Sequence, residues 1–145
     1  KGAGAEIISV NKGDGFSFPP ALCYEVIFSD SIIPNGAQPD AIINITNDTW
    51  FGKTPGTYQH LDMVRRYAIE AGVPVVRANY SGLSAFVSPD GHIESMIPIG
   101  HASVLDGRVA GAHMTPYRLI GRDWWMVLIL LSASIGAIAA SRRRD

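Results

Sequence analysis

PDAIINITNDTWFGKTPGTYQHLDMVRRYAIEAGVPVVRAN, residues 39–79, carries the three signals that set the fold class. PDAIINITND, residues 39–48, is a continuous apolar run closed at both ends by turn formers, the pattern of a central strand buried on both faces. WFGKTPGT reads as a loop, punctuated by Gly52, Pro55 and Gly56. From Tyr58 to Ala71 the period changes to that of a helix. Leu61, Val64 and Ala68 share one face, with Met63 and Tyr67 beside it, while Asp62, Arg66 and Glu70 recur four apart on the outer side. Gly72 and Pro74 stop the helix, and VPVVRAN follows as a strand. A strand, a helix and a strand in this order predict an α/β layered domain.

Working outward, AEIISV and the residues after the NKGDG turn predict two short edge-like strands. Pro19 and Pro20 are expected to stop that pairing, and ALCYEVIF to form a buried strand that runs into a turn or short helix. On the other side, SAFVSPDGHIESMI predicts a hairpin about Pro89-Asp90-Gly91, and SVLDGRVAG a further short strand or two.

The 145 residues suit one domain with a real core, and 47% of them are hydrophobic against 17% charged. A net charge of -1 gives no overall attraction to nucleic acid, so no nucleic-acid partner is expected. A single cysteine makes no internal disulfide and no zinc site, and His60, His92, His101 and His113 share no ligand spacing, so no metal or other cofactor is proposed. The sequence opens at Lys1 without an initiator Met or a signal segment, and reads as a chain entered partway.

Composition shifts after Asp123. WWMVLILLSASIGAIAAS, residues 124–141, is uncharged over a length near the lower limit for crossing a bilayer, about 17–25 residues. Trp124 and Trp125 stand at one end, Arg142, Arg143 and Arg144 at the other, and Ser132, Ala133, Ser134, Gly136 and Ala137 permit close helix packing. The organisation expected is a catalytic-type domain over 1–123, a transmembrane helix over 124–141 and a basic cytoplasmic tail over 142–145, with 1–123 on the opposite side of the membrane. A buried core helix is the alternative for 124–141.

ALCYEVIFSD, residues 21–30, contains the one cysteine, Cys23, with Glu25 two positions on. A thiol of ordinary pKa, about 8.5, is a strong nucleophile through its small thiolate fraction. Acyl transfer through it needs a base, oxyanion donors and a dry pocket. A free Cys in an apolar run is otherwise a small packing residue.

LCYEVIF, NITNDTWFG, QHLDMVRRYAIEAGVPVVRANYSGLSAFVSPDG and MTPY together resemble the carbon–nitrogen hydrolase (nitrilase) superfamily, and within it the apolipoprotein N-acyltransferase family, from about Pro20 to the C-terminus. The resemblance implies part of a four-layer α-β-β-α sandwich, facing the periplasm from the bacterial inner membrane. It implies that Cys23 is the nucleophile and accepts a fatty acyl chain from a phospholipid as a thioester. The N-terminal amine of a lipid-modified apolipoprotein cysteine then takes the chain as an amide. Glu25 matches the family carboxylate after the cysteine and Tyr24 the residue between, and the backbone N–H after the cysteine is expected to help hold the oxyanion. The family base (a Glu) and Lys have no counterpart in residues 1–22: Lys1, Lys12 and Glu6 lack their motifs, so the isolated chain is expected to be inactive. Thr57 stands where relatives often carry Pro.

Trp50 and Phe51 are candidates for contacting acyl chains or the membrane surface, with core packing as the alternative. Asn47 and Asp48 are read as closing a turn, His60 as packing at the helix end, and Arg65, Arg66 and Glu70 as a solvated face. Arg77 and Asn79 either border the site or support the fold. Beside the acyltransferase stand two other readings: a membrane-anchored amidase of the same superfamily that uses water as acceptor, and a non-catalytic remnant in which Cys23 only packs.

Overall fold

The computed structural model describes residues 6–10, 15–28, 31–120 and 122–141, excepting the side chains of 122, 123, 125 and 137–141. Two compact units result, Lys1–Met114 and Thr115–Asp145. In the first, β1 (Ile8–Val10) and β2 (Phe16–Phe18) pair antiparallel, as the turn between them predicts. A five-stranded mixed sheet follows in the order β3 (Pro20–Leu22), β4 (Ile42–Thr46), β5 (Val75–Asn79), β6 (Ser84–Val87) and β7 (Ile93–Ile97). The first three strands run parallel, and β5–β6–β7 form an antiparallel meander through the expected Pro89–Gly91 turn.

The crossover from β4 to β5 is α1 (Gly56–Ala71). Thr57, His60, Leu61, Val64, Tyr67, Ala68 and Ala71 recur every three or four residues and are buried. They pack on the inward residues of β4 and β5, where Ile42 and Val75 are sealed from solvent. Outward, Asp62 pairs with Arg65, and Arg66 with Glu70, as helix spacing allows. Gly72 takes a left-handed φ of 63° and donates its N–H to the Ala68 carbonyl at 2.8 Å, which closes the helix before Pro74.

Of three local expectations, two hold and one is corrected. The β1–β2 pairing ends at Phe18, before Pro19 and Pro20 as expected, and Pro20 then opens β3 opposite Ile43, since the first position of a strand tolerates a missing N–H. ALCYEVIF forms the expected strand that runs into a short helix: β3 ends at Leu22, and residues Cys23–Ile27 wind into a 3₁₀ turn whose Val26 plugs into the core. No strand forms in residues 101–115, where β-branched residues are too few and Gly107 and Gly111 interrupt the run.

The second unit holds α2 (Pro116–Ile120) and α3 (Arg122–Ser141). A helix thus forms where the membrane segment is expected, with Trp124, Met126 and Val127 to Leu131 all exposed. Among the described residues no helix is long and apolar enough to cross a membrane. Arg142, Arg143 and Arg144 lie outside the described residues, as do Lys1 and Lys12.

Leu61 is 4% exposed, and Leu61→Ala should lower unfolding free energy by about 2–5 kcal/mol in urea titrations. Arg66→Ala, on the solvated face, should change it by less than about 0.5 kcal/mol.

Candidate functional site: an exposed thiol over a buried ionic network

Cys23 is exposed, and it carries the single positive φ of a non-glycine residue among those described, 47°. An L-residue in this region costs roughly 1–2 kcal/mol, so the surroundings must hold it there. They do so on both sides. The Glu25 carboxylate, from within the 3₁₀ turn, accepts the Leu22 N–H at 2.6 Å through Oε2. From the sheet, Asn44 Nδ2 donates to the carbonyls of Ala21 at 3.0 Å and Cys23 at 3.4 Å. The strand therefore ends in a sharp elbow that turns the thiol outward, with the neighbouring acid folded onto the backbone.

Behind the elbow lies a polar cluster that strand periodicity aims into the core. Ile42, Asn44 and Thr46 face α1 from β4, and Val75 and Arg77 face it from β5. The Arg77 guanidinium donates to Asn44 Oδ1 at 2.7 Å, Asp48 Oδ2 at 2.8 Å and the Leu83 carbonyl at 3.1 Å. Asp48 also accepts from Thr57 Oγ1 at 2.6 Å and Asn79 Nδ2 at 2.6 Å, and its Oδ1 lies 2.8 Å from His60 Nδ1. Asp48, ionised, only accepts, so the His60 tautomer that bonds to it carries its proton on Nδ1. Burial by itself raises the Asp48 pKa, but the bonds from Thr57 and His60, the Arg77 charge and the Asn79 bond outweigh it and hold the carboxyl below its ordinary value. For Arg77, burial pulls the pKa below its ordinary value, and Asp48 opposes it.

The cluster reaches the elbow a second time through aromatic contact. His60 stacks on Tyr24, ring centroids 4.6 Å apart and planes 8° from parallel, and Phe51 meets both rings edge-on at 6.1 Å. Of the residues singled out in the sequence, Cys23, Tyr24, Glu25 and Phe51 are therefore brought together. Trp50 is 86% exposed and joins no ring contact among the described residues. Asn47 closes the turn as expected, its Oδ1 accepting from the Thr49 N–H at 3.1 Å and from Ser81 Oγ at 3.2 Å.

Sequence reasoning passed over Asn44 altogether. It left Arg77 undecided between site and fold, and gave Asp48 and His60 merely local roles. The available signal was an Asn and an Arg at inward positions of apolar strands, since buried polar groups are kept only where they find partners. A glycine completes the enclosure: a Cβ on Gly82 would strike Asn79 Nδ2 and Thr57 Oγ1 and lie 2.8 Å from Asp48 Oδ2.

Two outcomes follow from this packing. Gly82→Ala should destabilise the fold by about 1–3 kcal/mol in urea titrations, because the network has no space for a methyl group. Asp48 is held ionised in the folded state, so its contribution is present above the unfolded carboxylate pKa of about 3.9 and is lost as pH falls through the lower folded value. Urea midpoints should therefore drop as pH is lowered below about 4, and Asp48→Asn should make that drop shallower. Asp40, held down by its bonds from Ser17, supplies part of the remaining dependence.

The carbon-nitrogen hydrolase family matches residues 2–118. The apolipoprotein N-acyltransferase of Brucella suis biovar 1 (strain 1330) is 42% identical over 135 residues, covering 90% of this chain and 25% of its own. That of Rhizobium rhizogenes is 42% identical over 130 residues, covering 90% and 24%, and that of Pseudomonas syringae pv. tomato 37% over 129 residues, covering 88% and 25%. The chain spans about a quarter of the length of the curated relatives it matches. Among solved structures, the amidase from Nesterenkonia sp. AN1 aligns over 64% of this chain and 39% of its own at 20% identity, with a TM-score of 0.47. With four-fifths of its length matched, the chain belongs to the carbon-nitrogen hydrolase family.

Proposed function

We propose that this chain carries the nucleophile of a membrane-bound N-acyltransferase acting on lipoproteins. The observation that carries the reading is the exposed thiol of Cys23 on its left-handed elbow, with Glu25 closing the turn beneath it. The names of the relatives support the acyl-transfer class.

In this reading the Cys23 thiolate attacks the ester carbonyl of a phospholipid. The C–O bond to the lysophospholipid breaks, its alkoxide leaves with a proton, and the acyl chain stays on sulfur as a thioester. The α-amine of a lipid-modified N-terminal cysteine then attacks, an N–C bond forms as the C–S bond breaks, and the proton lost by the amine restores the Cys23 thiol. Cys23 and Glu25 are the catalytic candidates. The Tyr24 N–H would donate to the oxyanion of each tetrahedral intermediate. The Tyr24 and Phe51 rings, with exposed Trp50, offer apolar surface to the incoming chain. No base is assigned within this chain, and residues 1–123 are read as the C-terminal half of the catalytic domain.

The sheet supports a place in the four-layer sandwich. Opposite α1, its other face presents exposed Leu22 and Ile45 with half-buried Ile43, Val76 and Phe86, an apolar surface of the kind that a second sheet covers. For residues 124–141 the reading remains a membrane span with a cytoplasmic C-terminus, on the strength of the uncharged run, the flanking indoles and the basic tail. The apolar side chains exposed along α3 are the kind that lipid covers. The catalytic part would then face the periplasm of a bacterial inner membrane.

A phospholipid with an alkyne-tagged acyl chain tests the proposal in the full-length protein in detergent. Wild type should become labelled at Cys23 through a bond that neutral hydroxylamine cleaves, and Cys23→Ala should stay unlabelled. Glu25→Gln should slow labelling about tenfold or more, the worth of one charge-assisted hydrogen bond. Labelled enzyme that discharges to water as fast as to a lipopeptide amine would indicate an amidase, and an unlabelled wild type a non-catalytic remnant.

A further inference from the structure

We infer that Asn44 is a positioning residue for the Cys23 elbow, set in place by Arg77 and Asp48. The inference deepens the acyl-transfer reading and rests on it for its catalytic meaning, though not for its structural test.

The argument begins in the register. Ala21 of β3 lies opposite Asn44 of β4, Asn44 opposite Arg77 of β5, and Arg77 opposite Ala85 of β6. One rung of the sheet thus reads Ala, Asn, Arg, Ala. The two alanines, 0% and 1% exposed, leave room on the helix-facing side for two long polar side chains to lie along the rung instead of standing up from it. An Asn in a central strand is disfavoured, and a buried amide without partners costs about 1–3 kcal/mol. An aliphatic residue would serve the fold at this position without that risk.

The chemistry of the neighbours leaves one orientation for the Asn44 amide. Arg77 only donates, so Oδ1 must face it, and the two Nδ2 hydrogens must then face the carbonyls of Ala21 and Cys23. Those carbonyls bracket Leu22, whose own N–H is taken by Glu25. Three bonds therefore fix the Ala21–Leu22 and Cys23–Tyr24 peptide groups, which enclose the Leu22–Cys23 peptide between them, and this is the kind of support a left-handed Cys requires in order to persist. Arg77 cannot swing away, because its side chain is 0% exposed and its remaining donors are held by Asp48 and Leu83. A chain of direct contacts thus runs from the Asp48 carboxylate, through Arg77 and Asn44, to the Cys23 backbone.

Asn44→Asp is the discriminating variant. It keeps the size of the side chain and an acceptor for Arg77, but it offers the two carbonyls oxygen where they need a donor. Asn44→Ala serves as a second variant should the aspartate prevent folding. In this chain, amide hydrogen exchange at Leu22 and Val26 should accelerate at least about tenfold in either variant, while exchange in β7 (Ile93–Ile97) stays within about threefold of wild type. In the full-length protein, the rate of Cys23 thioester formation at saturating phospholipid should fall about tenfold or more, with the half-saturating lipid concentration within about twofold. Elbow exchange that stays at the wild-type rate, or that rises only in step with β7, overturns the inference, because Asn44 would then serve the fold alone. A rate loss expressed only as weaker lipid saturation overturns it too. If the wild-type full-length protein forms no thioester, the acyl-transfer reading fails, and the exchange comparison still decides the positioning role.

Discussion

A buried ion pair, Arg77 with Asp48, is the constraint on which the rest of the structure turns, its two side chains 0% and 2% exposed. Taking two charges out of water costs several kcal/mol for each ion, and their mutual attraction offsets this only when the remaining donors and acceptors are also met. Here they are met from everywhere around them. Thr57 and His60 come from α1, Asn79 from the end of β5, the Leu83 carbonyl from the turn after it, and Asn44 from the neighbouring strand. The pair therefore dictates where the crossover helix begins, how tightly the Asn79–Ser84 turn closes over Gly82, and which residues of β4 can be polar.

The same pair links the packing of the domain to its one thiol. One path runs through Asn44 to the carbonyls around Cys23, and another through His60 to the ring of Tyr24. Neither path places a charge at the surface. The strain of a left-handed cysteine is thus balanced inside the core, and the thiol itself stays open to solvent. Rigid support below and access above are what a nucleophile needs if it is to meet a carbonyl carried by another molecule.

Periodicity made much of the fold legible. The apolar run at 39–48 and the three-and-four spacing of Leu61, Val64 and Ala68 led directly to β4 and α1, and the Pro89–Gly91 turn to the β6–β7 hairpin. At ALCYEVIF a strand leading into a turn or short helix was legible, and the left-handed cysteine between them was not. ALCYEVIF is apolar enough for a strand, yet the backbone turns at Cys23 because of bonds from Asn44 and Glu25, and only the first of these reaches across the fold. For the site, Cys23, Tyr24 and Glu25 were visible as neighbours in sequence. Asn44, Asp48, His60 and Arg77 converge from three elements, and no spacing rule connects residues joined by sheet register and a crossover helix.

The bond from the Leu22 N–H to Glu25 has an effect on the flank of the sheet as well. Alternation along β3 turns Pro19 and Ala21 toward β4, where the Pro19 carbonyl accepts from Ile43, and leaves Pro20 and Leu22 facing the other way. Pro20 has no hydrogen to give and that of Leu22 is already taken, so the margin of the sheet beside the thiol is stripped of backbone donors. A strand arriving there would find carbonyls alone, so this flank of β3 offers little to further β-pairing beside the thiol.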